Sequence, residues 1–217
     1  MDKFWLKSYP EGIPAEIDPA RYGSLVELLD ESFQKYADRN ACVCMDKSLS
    51  YREVDRLSTE VGAWLQSLGL QKGARIALMM PNVLQYPIAI AAVLRAGYVI
   101  VNVNPLYKPR ELEHQLTDSG AEAIIILENF ASTLEKVIAS TQVKHVIIAT
   151  MGDLFGGLKG GIVNFVVRHV KKMVPAYSLP QAVQFKEVLR QAAGMTLQRP
   201  TPVSYTHLRA HETRGNL

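Results

Sequence analysis

Short apolar strand signals alternate with helix signals through the middle of this 217-residue chain, and this alternation constrains the fold more than any other feature. Residues 49–118 contain, in order, a strand, an amphipathic helix, an apolar strand, a helix that is apolar nearly all round, another apolar strand and a further helix. Strands that alternate with helices are typical of parallel sheets covered by helices. The sequence therefore predicts an α/β fold with a doubly wound, mostly parallel sheet and right-handed crossovers.

Helix and strand boundaries follow from capping and turn residues. Ser24 with Glu27 three residues later predicts a capped helix start, Pro109 suits a first helical turn, and Gly69 and Gly120 suit helix ends. Predicted helices cover residues 25–36, 51–68, 84–96, 109–119 and 131–140. Predicted strands cover residues 41–45, 75–80, 98–103, 123–127 and 145–149, with a turn at Asp46 and Lys47 and a strand start at 48–51. Pro10, Pro14 and Pro19 predict that residues 1–21 form an extended surface arm.

The composition excludes several classes of protein. Lys and Arg number 24 and Asp and Glu 21, a balance that gives no support for a nucleic-acid partner. A hydrophobic content of 48% supports a real core. Cys42 and Cys44 share one face of a predicted strand, where we expect small buried residues and neither a disulfide nor a metal site. No secretory signal and no membrane-length apolar run is seen, so the sequence predicts a cytoplasmic protein.

Few motifs carry recognisable chemistry. Pro81-Asn82 follows a predicted strand at the sheet edge where ligands bind, but we interpret Asn82 first as a turn and capping residue. Gly97 is interpreted as a helix terminator, and the glycine pairs 156–157 and 160–161 as a flexible loop. No phosphate-binding loop of a known pattern is present. The scattered histidines suggest no catalytic arrangement; they are His114, His145, His169, His207 and His211.

Residues 162–174 predict a basic amphipathic helix. Its apolar stripe comprises Ile162, Phe165, Val166, Val170 and Met173, and its basic side comprises Arg168, Lys171 and Lys172. The favoured interpretation is an ordinary surface helix whose apolar stripe packs on the core. The alternative is a helix that lies in a membrane interface, with contact through Ile162, Phe165, Lys171 and Lys172.

Four sequence segments carry a family resemblance. LSYREV (residues 49–54) and LRAGYVIVNVNP (94–105) resemble the first two motifs of the adenylate-forming enzymes, the superfamily of acyl-CoA synthetases, luciferases and adenylation domains. FWLKSYP (4–10) and NFVVRHVKKMVPAYSLP (164–180) resemble the bacterial long-chain fatty acid–CoA ligases within it. The resemblance runs from residue 1 to about residue 198. It implies a full-length enzyme that joins a fatty acid to ATP with the help of Mg²⁺ and passes the acyl group to coenzyme A.

The end of the chain departs from that family. The superfamily's Ser/Thr/Gly-rich phosphate loop is expected near this point, but residues 199–217 read RPTPVSYTHLRAHETRGNL. We therefore expect residues 1–202 to be the truncated N-terminal part of an AMP-binding domain and residues 203–217 to be a non-native tail, with a divergent natural tail as the alternative. No catalytic, cofactor-binding or metal-binding residue is carried over from the family. The chain alone is expected to be inactive and to bind none of ATP, Mg²⁺ and coenzyme A.

Two further interpretations stay open at this point. One is a non-catalytic membrane-surface or regulatory module, and the other is part of an adenylating ligase with a different acyl substrate. A doubly wound sheet that is cut partway is also expected to expose an apolar strand edge and a bare face. Poor solubility or molten behaviour follows from that expectation.

Overall fold

A five-stranded parallel sheet with helices on both faces forms the centre of the computed structural model, which describes residues 3–18 and 20–200. The sheet comprises β3 (Arg75–Met79), β4 (Val99–Asn102), β5 (Ala123–Leu127), β6 (His145–Ala149) and β7 (Val183–Gln184). The order across the sheet is β4-β3-β5-β6-β7, and each neighbouring pair is parallel. The predicted fold class is therefore confirmed.

The remaining elements precede or cover this sheet. A separate antiparallel hairpin consists of β1 (Asn40–Cys44) and β2 (Lys47–Ser50). The helices are α1 (Leu25–Lys35), α2 (Tyr51–Ser67), α3 (Gln85–Arg95), α4 (Pro109–Ser119), α5 (Ala131–Glu135), α6 (Gly157–Phe165) and α7 (Phe185–Ala192). A 3₁₀ turn at Phe4–Ser8, with no buried residue, interrupts the arm that was predicted to be extended.

Alternate residues of the strands enter two separate cores, as the two-residue period of a strand requires. On one face, Ile76, Ile125 and Ile147 belong to a cluster that includes residues of α2, α3 and α7. On the other face, Ile124 and Ile148 belong to a cluster that includes residues of α4 and α5. Every residue of β5 is buried. The expectation of a bare sheet face is therefore wrong for the described part of the chain, because helices cover both faces.

Local signals explain the best-defined helices. At the start of α2, the Ser50 hydroxyl accepts a hydrogen bond from the Glu53 N–H, and the Glu53 carboxylate accepts one from the Ser50 N–H. This reciprocal pair is a complete capping box. Helix α4 has Pro109 in its first turn and ends at Gly120, whose φ of 62° is left-handed. Glycine adopts that conformation without strain, so both ends of α4 match the prediction.

Other sequence predictions need correction. The hairpin turn lies one residue earlier than predicted, because Met45 and Asp46 have the positive φ values of 46° and 62°. Helix α5 ends at Glu135, and a 3₁₀ turn at Ile138–Ser140 replaces the second half of the predicted helix. Strand β7 and helix α7 were not predicted. Helix α1 caps at Ser24 as expected, and Leu25 and Leu28 on this helix are exposed.

Candidate functional site

The carboxyl ends of the parallel strands form the candidate site, because ligands of open α/β sheets bind at that edge where the strand order reverses. Here the chain passes from β3 to β4 on one side and then places β5 on the other side of β3. The reversal therefore lies between β3 and β5. Asn82 follows β3, Glu128 follows β5, and Thr150 follows β6 at this edge.

Asn82 forms part of a turn but does not cap the following helix. The Val83 N–H donates to the Pro81 carbonyl oxygen over 2.8 Å, and the N-cap of α3 is Leu84, which has no side-chain cap. The turn interpretation is thus confirmed and the capping interpretation is wrong. Asn82 is exposed and, with Cys42, Cys44 and Tyr86 among its neighbours, lines a cleft of about 140 Å³. Ligand contact by Asn82 stays a prediction.

An ion pair between a buried carboxylate and a partly exposed guanidinium lies directly after β5. Glu128 is completely buried, and one of its carboxylate oxygens accepts hydrogen bonds from Arg168 Nε over 2.8 Å and pairs with the same guanidinium over 2.7 Å. The other oxygen has no hydrogen-bond partner among the described residues. Burial raises the pKa of the Glu128 carboxyl group, and Arg168 opposes that change. Hydrogen bonding to Glu128 in turn raises the pKa of Arg168.

A second polar network fixes the turn after β6. The Thr150 N–H and hydroxyl donate to Asp153 over 2.7 and 2.6 Å, and Gln85 donates to the Thr150 carbonyl oxygen over 2.7 Å. Asn164 of α6 donates to the Thr150 hydroxyl over 2.9 Å and accepts from the Gly152 N–H over 2.7 Å. Burial raises the pKa of Asp153, while the Thr150 hydrogen bonds act against that rise. The network therefore ties β6, α3 and α6 together.

These polar residues do not fit a resident Mg²⁺ ion. Mg²⁺ prefers several oxygen ligands in octahedral geometry. Over residues 3–18 and 20–200, no group of three or more His, Cys, Asp and Glu side chains could hold a metal ion. Glu128 and Asp153 already bind Arg168 and Thr150. The polar groups of the site bond to one another and stabilise the edge of the sheet. No reaction step is assigned to a metal ion there.

The two cysteines and the histidines of α4 and β6 have the surroundings of ordinary structural residues. Cys42 and Cys44 are free thiols on the same face of β1 as predicted, but they are half-buried where full burial was expected. Val43 between them is on the exposed face. Burial raises the pKa of the Cys42 thiol. His114 is exposed on α4, and His145 begins β6, where burial lowers its pKa. His207 and His211 lie outside the described residues, as does the tail of residues 203–217.

The glycines after β6 belong to a helix and not to a flexible loop, and Gly160 makes a close backbone contact. Gly157, Gly160 and Gly161 lie within α6, and Gly156 is its N-cap. A Cβ atom on Gly160 would collide with the Gly152 carbonyl oxygen, and a Cβ atom on Gly152 would collide with the Gly160 carbonyl oxygen. The two backbones can approach this closely only because both residues lack a side chain. The prediction of a flexible loop is therefore wrong.

The apolar stripe after this contact is exposed, contrary to the favoured prediction that it packs on the core. Ile162, Phe165, Val170 and Met173 are 56–62% exposed, and Val166 is half-buried. The helix continues after α6 as a π-helical turn at Val166–Val170. None of the helices in the described part of the chain combines the length and the apolar character needed to cross a bilayer.

Sequence reasoning missed the polar residues at the edge. Glu128 gave one usable signal, because it directly follows the all-apolar strand AIIIL. A carboxylate in that position lies at the end of a buried strand and therefore either reaches solvent or needs a partner. Arg168 was assigned to the basic side of a surface helix. No local pattern could have paired it with a residue 40 positions earlier in the chain.

Comparisons with known proteins agree with this architecture. The family model described as AMP-binding enzyme matches residues 29–184. A long-chain-fatty-acid–CoA ligase of Yersinia pestis is 54% identical over 205 residues, which is 94% of this chain and 36% of the relative. A ligase of the same name from Haemophilus influenzae is 52% identical over 190 residues, 87% of this chain and 34% of the relative.

The chain thus spans about a third of the length of these relatives. Among solved structures, a putative long-chain-fatty-acid CoA ligase from Rhodopseudomonas palustris matches with a TM-score of 0.63 at 16% identity, over 82% of this chain and 38% of that one. This structural likeness supports the fold alone. The family match covers all five strands of the sheet and helices α2 to α6, and it ends just before α7. On this evidence, the chain belongs to the AMP-binding enzyme family.

Proposed function

We propose that residues 1–202 supply the N-terminal part of the AMP-binding domain of a long-chain fatty acid–CoA ligase. The observation that carries this proposal is the 54% identity to the Yersinia pestis ligase across 94% of the chain. A rice 4-coumarate–CoA ligase, which is named for a different acyl group, is 32% identical over 130 residues. The fatty acid ligase is therefore favoured over an adenylating ligase with a different substrate.

The complete enzyme would act in two steps. A fatty acid carboxylate oxygen would attack the α-phosphorus of ATP, which gives an acyl-adenylate and releases pyrophosphate. The coenzyme A thiol would then displace AMP and give the acyl-CoA. ATP, coenzyme A and a long-chain fatty acid are the substrates, and Mg²⁺ would neutralise phosphate charge.

The described residues would contribute the frame for this reaction. The parallel sheet holds its carboxyl edge in one shape through the ion pair of Glu128 with Arg168 and through the network around Thr150. A buried polar group that loses its partner is costly, so these contacts resist movement of the edge. The edge would therefore present a fixed surface to the rest of the enzyme. The catalytic and nucleotide-binding residues would belong to the part of the relatives that this chain does not match.

The first experiment is an ATP–pyrophosphate exchange assay with palmitate. The purified chain is expected to give no exchange above the blank. As the positive arm, residues 1–198 replace the matching segment of the Yersinia pestis ligase. That chimera is expected to retain exchange and acyl-CoA formation. Turnover by the chain alone, or a correctly folded chimera that lacks activity, would contradict the proposal.

Contact with a membrane surface is the second candidate function. We propose that the protein works in the cytoplasm and touches the inner face of the membrane through Ile162, Phe165, Lys171 and Lys172. The exposure of the apolar stripe favours this idea. A long-chain fatty acid partitions into lipid, so a ligase that touches the membrane meets its substrate there. A non-catalytic module would show the same membrane contact but would fail in the chimera assay.

A further inference from the structure

The segment between β6 and α7 has an unusual charge pattern. No acidic residue lies between Asp153 and Glu187, although the rest of the chain is nearly balanced in charge. The basic residues in this interval are Lys159, Arg168, Lys171, Lys172 and Lys186. A surface of one charge sign is a feature of proteins that bind a partner of the opposite sign.

Exposed apolar side chains lie on the same segment. Leu158 is 82% exposed, Ile162 56% and Phe165 60%. Their spacing of four and three residues places them on one face of α6. Val170 and Met173 continue the exposed apolar surface beyond the helix. This surface, made of α6 and residues 166–173, is called the basic-apolar face below.

The opposite side of α6 is fixed to the body of the protein. Gly160 packs directly on Gly152, and Asn164, four residues later, bonds to the turn after β6. Residues four apart share a helix face, so these contacts define the buried side. The helix therefore presents Leu158, Ile162 and Phe165 outward as part of a rigid element.

Only some of the basic residues are available to a partner. Arg168 is held by Glu128, so it is not counted among the available cations. Lys159, Lys171 and Lys172 are exposed. Exposed lysines beside an exposed apolar helix face match a bilayer with negative headgroups, where the apolar face enters the acyl boundary and the cations stay at headgroup level.

We infer that the basic-apolar face is a docking surface for anionic phospholipid, with α6 parallel to the membrane plane. Leu158, Ile162 and Phe165 enter the acyl boundary, and Lys159, Lys171 and Lys172 contact the headgroup phosphates. This inference rests on the membrane contact that we propose as part of the function. It adds the charge of the lipid and the orientation of the helix. Attraction to an anionic surface contributes about 1 kcal/mol for each nearby lysine, or roughly fivefold in binding.

The test is co-sedimentation of the chain with phosphatidylcholine vesicles that contain or lack phosphatidylglycerol. Binding is expected to the anionic vesicles, and added NaCl is expected to weaken it because salt screens the lysine charges. Binding that is equal on both kinds of vesicle, or absent on both, would overturn the inference. The salt arm uses the unchanged chain and does not depend on any variant folding.

Paired variants locate the contact. The double substitution Lys171→Gln and Lys172→Gln is expected to weaken binding to anionic vesicles roughly 25-fold, at about fivefold for each lysine. The control is Lys72→Gln with Lys136→Gln, two exposed lysines outside the face. Likewise, Ile162→Ser with Phe165→Ser is expected to abolish binding, whereas Val43→Ser with Leu106→Ser, which alters two other exposed apolar residues, is expected to preserve it.

Other occupants of the face would give different results. If a second copy of the chain covers it, sedimentation velocity would show a dimer that the Ile162→Ser and Phe165→Ser variant dissociates, and the vesicle arms would show no preference for anionic lipid. Equal losses in the test and control variants would also refute the inference. Exchange by the chimera is measured without vesicles. Failure of lipid docking and failure of the proposed ligase function are therefore distinguishable.

Discussion

Arg95 is a buried cation whose side-chain contacts join three helices. It is 4% exposed, and its guanidinium pairs with Asp30 of α1 over 3.0 Å and with Asp55 of α2 over 2.7 Å. It also donates to the Ser58 hydroxyl over 2.9 Å and lies 5.4 Å from the centre of the Phe33 ring. In the sequence, Arg95 only interrupts an apolar helix, and nothing local indicates its partners. The structure assigns it to the packing of α1, α2 and α3.

Replacing Arg95 by leucine is expected to lower the free energy of unfolding by about 3 kcal/mol, because the substitution removes one partner of a buried ion pair. Urea unfolding followed by circular dichroism measures this change. The matched control is Arg56→Leu, which removes an exposed pair with Glu60 on α2. Exposed pairs contribute less than about 1 kcal/mol. Similar losses in both variants would contradict the role given to Arg95.

Two neighbouring glycines of α6 give a second prediction for single residues. Gly160→Ala is expected to destabilise the protein by about 1–3 kcal/mol, because its Cβ atom meets the Gly152 carbonyl oxygen. Gly161→Ala is expected to stabilise it by about 0.5–1 kcal/mol, since no atom lies near that Cβ position and alanine favours helix. Thermal melts of the two variants provide the measurement. A stabilising Gly160→Ala substitution would show that the close backbone contact does not form.

Individual elements differ in how far their sequences specify them. Strands β5 and β6 match their predicted bounds because continuous apolar residues between turn signals leave one assignment. Helix α4 matches at both ends because Pro109 and Gly120 define them. Helix α6 was missed at its start, since glycines that serve close packing look the same in sequence as glycines that serve flexibility. The site was largely unpredictable, because its ion pair and network join elements that are distant in the chain.

The ion pair between the end of β5 and the turn after α6 gives a pH-dependent prediction. Burial raises the pKa of Glu128 above the unfolded value of about 4.3. The folded state therefore holds this proton more tightly, and the associated stability is present below pH 4.3 and lost as the pH rises through the folded pKa. Glutamine resembles the protonated carboxyl group. Glu128→Gln should accordingly gain stability relative to the parent as the pH rises from about 4 to neutrality, because only the parent must then bury a charged carboxylate.

Urea midpoints of the parent and of Glu128→Gln across this pH range measure the difference. Asp118→Asn serves as the control, because it removes an exposed carboxylate and changes the net charge equally. The control is expected to follow the parent more closely than Glu128→Gln does. A Glu128→Gln variant that loses stability relative to the parent toward neutral pH would show that Arg168 more than offsets the cost of burial.

At the scale of the whole molecule, a well-filled interior coexists with an incompletely covered exterior. Both cores contain residues with no exposed surface, such as Ile76 and Leu116. Exposed apolar side chains nevertheless occur on α1, on the β1–β2 hairpin and on α6, and β4 forms an edge of the described sheet with no neighbouring strand beyond it. Unpaired strand edges and apolar patches favour association. The open strand edge that the sequence predicts is therefore present at β4. The predicted bare sheet face is not, and the exposed apolar surface lies on helices and on the hairpin instead.

This exterior predicts that the isolated chain binds a hydrophobic dye and associates as its concentration rises. Fluorescence of the dye 8-anilinonaphthalene-1-sulfonate and sedimentation velocity over a concentration series measure the two effects. Leu25→Ser with Leu28→Ser is expected to reduce dye binding without loss of helix content, because both leucines are already exposed and contribute little to the core. The prediction would be contradicted by a chain that melts in one sharp transition, stays monomeric and does not increase the fluorescence of the dye. Its exposed apolar surfaces would then have to be covered by rearrangement within the chain, and the lipid-docking face on α6 would lose its physical basis.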